Sequence, residues 1–181
     1  MICRPHIHGD ILPDVLIVGL DLVFCGTAPS KTSAEAGAYY ANSRNSFWKI
    51  LHECEFTDSE LKPENFEKLT TKNIGLTDLC KFACGSDDQL PPNAFDPERL
   101  RKAIQKYRPR FLAFASGHAG QKFFGRNVKY GRHAPVGETN VFVLPTTSPR
   151  RGDGWWREKK VHWHNFAEEF RRSCSSEERV I

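Results

Sequence analysis

The apolar run Leu20-Asp21-Leu22-Val23-Phe24-Cys25 ends directly in Gly26-Thr27-Ala28-Pro29-Ser30. A short apolar run bounded by turn residues reads as a buried strand, and a glycine and a proline within four residues force the chain out of that strand. A strand that feeds a loop of small side chains brings backbone close to whatever lies beyond it, which suits a flat or anionic ligand. Three more short apolar runs, at residues 74–80, 110–115 and 140–144, have the same character. Helix-like spacing lies between them. Phe47, Ile50, Leu51 and Cys54 follow i, i+3, i+4, i+7 after a capping Asn45 or Ser46. Asp96-Pro97 reads as N-cap and first helical residue, with Leu100, Ile104 and Tyr107 on one face. A last helix from about residue 162 carries Trp163, Phe166 and Phe170. The alternation predicts an α/β fold, a single domain with a central, mostly parallel four-stranded sheet flanked by helices.

A length of 181 residues is enough for one domain with its own core. The expected division is a tail over 1–13, the domain over 14–173 and a tail over 174–181. No apolar stretch approaches the roughly 20 residues needed to span a bilayer, and the first residues lack the apolar core of a signal peptide. A cytoplasmic location is expected, with no membrane partner. Six cysteines without a Cys-x-x-Cys pair argue against a zinc ribbon or a secreted disulfide framework. No metal and no cofactor is therefore expected. The net charge of +4 is modest, but Lys122, Arg126, Lys129, Arg132, Arg150, Arg151, Arg157, Lys159 and Lys160 outnumber the acids of their segment. Such a stretch fits either a phosphate backbone or a solvated charged face.

Ligands of open parallel sheets bind beyond the carboxyl ends of the strands. Four such ends are expected, at residues 26–30, 78–86, 116–118 and 146–151. The first lacks the glycine content and the Lys-Ser/Thr ending of a triphosphate-binding loop. Tyr40 is a candidate aromatic platform. Asp78 closes the second strand and either faces a ligand or orients a water, with pairing to Lys81 or capping of its loop as the plain structural alternative. His118 follows the third strand, where it contacts a phosphate or simply belongs to a helix start.

The block from Gly26 to Trp48 resembles the mismatch-specific uracil-DNA glycosylase and thymine-DNA glycosylase family. That family carries Gly-Ile-Asn-Pro-Gly after its first core strand, then a stacking Phe, then Asn-Arg-Phe-Trp. Here the catalytic Asn falls on Ala28, the closing Gly on Ser30, the stacking Phe on Tyr40, and the last motif on Asn45, Ser46, Phe47 and Trp48. The family's Leu-Pro-Asn-Pro-Ser-Gly-Leu-Ser-Arg wedge is similar to the segment from Leu144, with Pro145 and Ser148 matching and Arg150 in place of an apolar plug.

The resemblance implies a monofunctional glycosylase that flips uracil, or a similar deaminated base, out of DNA and hydrolyses its N-glycosidic bond, leaving an abasic site for base excision repair. Implied base-binding residues are Gly26, Thr27, Ala28, Ser30, Tyr40 and Ser148, and implied DNA contacts are Arg150, Arg151 and His118. The implied partner is DNA with a deaminated base and the product free uracil; a monomer with a bacterial-type, DNA-associated location is expected. With Ala28 in place of the catalytic Asn, Asp78, Asn42 or a water held by the backbone must take over its work. Two other readings remain: a catalytically impaired module that binds damaged DNA or flipped bases, and a hydrolase of free nucleotides.

Overall fold

Strand β1, Leu22–Gly26, is buried along its whole length and forms the middle of the sheet because its side chains are apolar on both faces. Leu22 and Phe24 point into one core, and Val23 and Cys25 into the other. The structure, a computed structural model, describes residues 9–149 and 153–177. The chain continues through α1 (Lys31–Ala36), α2 (Phe47–Glu53), a 3-10 helix (Pro63–Lys72) and β2 (Ile74–Asp78). It then forms α3 (Pro97–Tyr107), β3 (Phe111–Phe114), α4 (Gly117–Phe124), β4 (Gly131–Val136), β5 (Thr139–Val143), α5 (Asp153–Lys159) and α6 (Val161–Glu177).

The sheet order is β2-β1-β3-β5-β4, parallel except for the hairpin of β4 with β5. The fold is α/β and mostly parallel as expected, but the sheet has five strands rather than four. The additional strand is an antiparallel edge whose residues alternate between half-buried and exposed, and it contains Arg132, His133 and Pro135. A polar edge strand presents no apolar run, and its proline is tolerated because one side of the strand needs no ladder.

One face of the sheet is covered by α2, α6 and the 3-10 helix, in an aromatic core where Phe24 packs against Phe47, Phe56, Trp163 and Phe166. The other face packs α3 and α4 through Leu100, Ile104, Ala119 and Phe123. The segment before β1 belongs to the same body: Ile11 and Leu12 are buried, and Val15 bridges to Leu76. Among the described residues no helix is long and apolar enough to cross a membrane.

Local capping follows the sequence. Asp96 accepts from the Arg99 amide at 2.8 Å at the start of α3, with Pro97 as the first helical residue. Asn45 accepts from the Phe47 amide at 3.0 Å, while Ser46, in the N-cap position of α2, makes no side-chain cap bond. Trp155 and Trp156 lie in α5, and Trp156 packs against the aromatic core.

Candidate active site

From β1 the chain crosses to β2 on one side and then returns past β1 to β3 on the other, so the crevice beyond β1 and β3 is a topological switch point. The two strand ends meet there: Thr27 Oγ1 donates to Ser116 Oγ at 3.2 Å. The loop after β1 is tied to the loop after β2 by Leu79 and Cys80 amides donating to the Gly26 and Thr27 carbonyls, each at 2.9 Å. Ser30 accepts from the Ser33 amide at 3.1 Å and starts α1, which ends at Gly37 in the left-handed conformation. The next turn places Tyr40, at φ 52°, against Phe47, with ring centroids 3.7 Å apart and planes 14° from parallel.

These elements enclose a cleft of about 330 Å3, within the usual range for small-ligand sites. Gly26, Thr27, Ala28, Ser30, Tyr40, Asn42, Asp78 and Ser148 all line it, so the structure gathers these sequence candidates into one place. His118 lies instead in an adjoining cleft of about 580 Å3, which shares Asp87, Ser116, Thr146 and Ser148 with the first. Arg150 and Arg151 lie outside the described residues.

Two carboxylates line the first cleft, the half-buried Asp87 and the buried Asp78. Asp78 pairs in register with Gly26 across the β1–β2 ladder and is 3% exposed. A Cβ added to Gly26 would lie 2.2 Å from Asp78 Oδ1 and 3.1 Å from the Tyr40 hydroxyl. The glycine is therefore required by close approach: its absent side chain is the space the carboxyl occupies. Asp78 Oδ2 and the Tyr40 hydroxyl are both buried without a hydrogen-bond partner among the described residues. Buried polar atoms are normally paired, so this orphaned pair marks a place for a ligand or water. Burial pushes the Asp78 carboxyl up to about 7; Asp14 adds to the rise, and Lys81 and Arg99 oppose it. Burial, reinforced by Asp78, also holds the Tyr40 phenol well above its ordinary value, so Tyr40 stays neutral.

The pairing of Asp78 with Lys81 that the sequence left open does not occur. Lys81 Nζ lies 2.7 Å from Asp14 Oδ1 and donates to the Tyr39 hydroxyl at 3.2 Å. Arg99 grips the other oxygen of Asp14 at 2.7 Å and donates to the Asp78 carbonyl at 2.6 Å, while Thr77 Oγ1 donates to Asp14 at 2.6 Å. Burial raises the Asp14 carboxyl, but Lys81 and Arg99 outweigh it and hold the group below its ordinary value. Sequence reasoning missed this cluster because its members come from four separated segments. The one available signal was a lysine three residues past a buried strand.

Other candidates are already engaged. Asn42 Oδ1 accepts from the Arg44 amide at 3.0 Å, and the Asn42 carbonyl accepts from Asn45, so its side-chain oxygen closes a local turn. Ala28 contributes a methyl to the small cluster around Cys80, Leu90 and Ala94. What Ala28 retains is its amide, and among the described residues neither it nor the Thr27 amide has a hydrogen-bond acceptor. Tyr40 has one ring face covered by Phe47, which leaves the opposite face and the edge for a ligand.

The model of the uracil DNA glycosylase superfamily matches residues 13–171. The fold is similar to that of a candidate uracil DNA glycosylase from Methanosarcina acetivorans, solved in solution by NMR. The two share 22% identity over 89% of this chain and 95% of that one, with a TM-score of 0.57. At that identity the likeness speaks for the fold.

Proposed function

Since the chain belongs to the uracil DNA glycosylase superfamily, we propose that it is a monofunctional DNA glycosylase that removes uracil, or a similar deaminated base, from DNA. The observation that carries this reading is the buried, unpartnered Asp78 carboxyl facing Gly26 and Tyr40 in a base-sized cleft.

The extracted base lies against the open face of Tyr40, which Phe47 braces from behind. The Thr27 and Ala28 amides point at a carbonyl oxygen of the base and stabilise negative charge there as the bond breaks. The C1′–N bond cleaves with its electron pair going to the base. Asp78, as the carboxylate, holds a water against the opposite side of the sugar. The water oxygen bonds to C1′, and its proton passes to Asp78 and from there to solvent. Titration near 7 suits this role, because an appreciable fraction of Asp78 is ionised at neutral pH. Asp78 thereby takes over the work for which Ala28 has no polar side chain, and Asn42, its oxygen spent in a turn, does not. His118 and Ser148 meet the flanking strand, and Arg150 and Arg151, which follow Ser148 in the sequence, are the further DNA contacts of this reading.

The test is single-turnover incubation, in EDTA, with end-labelled oligonucleotides carrying uracil opposite guanine, opposite adenine and in single strands, followed by alkali. Expected is scission at uracil only after alkali, with a rate that rises with pH through about 7. Binding of every substrate without an abasic product refutes catalysis. A rate that falls over that range shows that Asp78 works as a proton donor to the base and not as a base toward water.

A further inference from the structure

Beneath the cleft floor lies a cluster of charges that the proposed reaction does not use directly. Lys81 is 3% exposed, yet it is an ammonium with a carboxylate at 2.7 Å and a phenol at 3.2 Å. Burying such a charge is costly unless it is paired, and a long, flexible lysine is an expensive way merely to fill space. Two cations, Lys81 and Arg99, share the single carboxylate of Asp14. The cluster thus carries one positive charge in excess, directly behind the strand end that bears Asp78. Arg99 connects the two, since one guanidinium nitrogen binds Asp14 and the other the Asp78 carbonyl. The ionised Asp78 carboxylate would bring the whole group to neutrality.

We propose that Lys81 is a positioning residue for Asp78: its ammonium, fixed between Asp14 and the Tyr39 hydroxyl, is the counter-charge that lets this carboxyl ionise in a site that would otherwise keep it neutral. The inference rests on the reading of Asp78 as the reacting carboxylate, but it makes its own claim about charge. The exposed Lys31 and Arg44 and the half-buried Asp87 line the same cleft, but the charges that act on Asp78 are those of the buried cluster. Cys25 of β1 and the phenols of Tyr39 and Tyr40 are held neutral by burial, with Asp78 opposing their ionisation further. Asp14, before β1, repels a second negative charge. Lys81, after β2, and Arg99, of α3, attract one. Arg99 is partly exposed and already committed to a carbonyl and a carboxylate, whereas the Lys81 ammonium is almost wholly enclosed, where solvent screens it least.

The experiment compares the full chain with Lys81→Met, Lys81→Arg and Asp14→Asn, following Asp78 by carboxyl 13C NMR in the protein without DNA; Asp78→Asn assigns the signal. Loss of Lys81 is expected to raise the Asp78 midpoint by about one pH unit or more, Lys81→Arg to leave it near the wild-type value, and Asp14→Asn to lower it. Opposite signs are the diagnostic, because general loosening of the site would move both variants in one direction. An unchanged midpoint in folded Lys81→Met, or a rise in Asp14→Asn, overturns the proposal. If Lys81→Met does not fold, Lys81→Gln takes its place, and an unchanged midpoint there overturns the proposal in the same way. Single-turnover pH profiles of the same proteins separate the two readings. If the NMR midpoints shift as stated and the rate does not follow them, Lys81 keeps its role and the assignment of Asp78 as the base fails.

Discussion

Replacing Asp78 by Asn should make the protein more stable and less active, and the gain should depend on pH in a calculable way. The wild-type carboxyl titrates near 7 when folded and near its ordinary 3.8 when unfolded. Between those values the folded state binds the proton more tightly than the unfolded state, so wild-type stability from this group is fully present below about pH 4 and is lost as pH rises through 7. Linkage gives a loss of about 1.5 kcal/mol at pH 5, growing to about 4 kcal/mol at pH 8.5. An asparagine of the same shape pays none of this. The advantage of Asp78→Asn over wild type should therefore widen by about 2.5 kcal/mol from pH 5 to pH 8.5, which for a chain of this size is an increase in Tm difference of about 5–10 °C. Urea unfolding followed by circular dichroism at several pH values measures it, and groups common to both proteins cancel in the difference. Parallel stability curves over that range would show that Asp78 is not a desolvated acid, and would remove the physical basis for its reactivity. The same variant should lose about 10²–10⁴ in single-turnover excision.

The remaining predictions concern the residues around that carboxyl. Gly26→Ala drives a Cβ to within 2.2 Å of Asp78 Oδ1, so it should displace the carboxyl and cost at least about tenfold in excision, a loss checked beside urea stability, which should change by only about 1–2 kcal/mol because a short side chain can turn aside. Tyr40→Ala should weaken excision by about 1–3 kcal/mol, as lost base stacking, whereas Tyr40→Phe, which removes a buried hydroxyl without a partner, should melt at the wild-type temperature or slightly above. Gly75→Ala places a Cβ 2.4 Å from the Val15 carbonyl, which is backbone and cannot turn aside; it should destabilise the fold by about 2 kcal/mol or more in thermal unfolding, through the bridge that holds the Asp14 segment.

Much of the fold was legible because its signals are local. The four buried strands announced themselves as apolar runs ended by turn residues, and α3 by Asp96-Pro97 followed by Leu100 and Ile104. The edge strand β4 was not legible, since Arg132, His133 and Pro135 face water or a single neighbour and so carry no apolar pattern. The same division runs through the site. That Gly26 to Ser30 and Asp78 should gather at strand ends followed from parallel-sheet topology, Tyr40 was marked by its match to the family's stacking Phe, and the cleft brings them together.

The sequence by itself determined an α/β chain of the uracil DNA glycosylase superfamily, with a glycine-led loop after its first strand and an alanine at the position of the expected asparagine. Only the tertiary structure decided which group stands in the cleft in that side chain's absence. Gly26 and Asp78 are far apart in the chain but opposite each other in the ladder, and the missing Cβ of one is the space held by the carboxyl of the other. Lys81, close to Asp78 in sequence, turns away to Asp14, because a buried ammonium settles where a carboxylate and a phenol together can replace its water. Strand register and the pairing of buried charge are properties of the assembled sheet, and no local run of residues contains them.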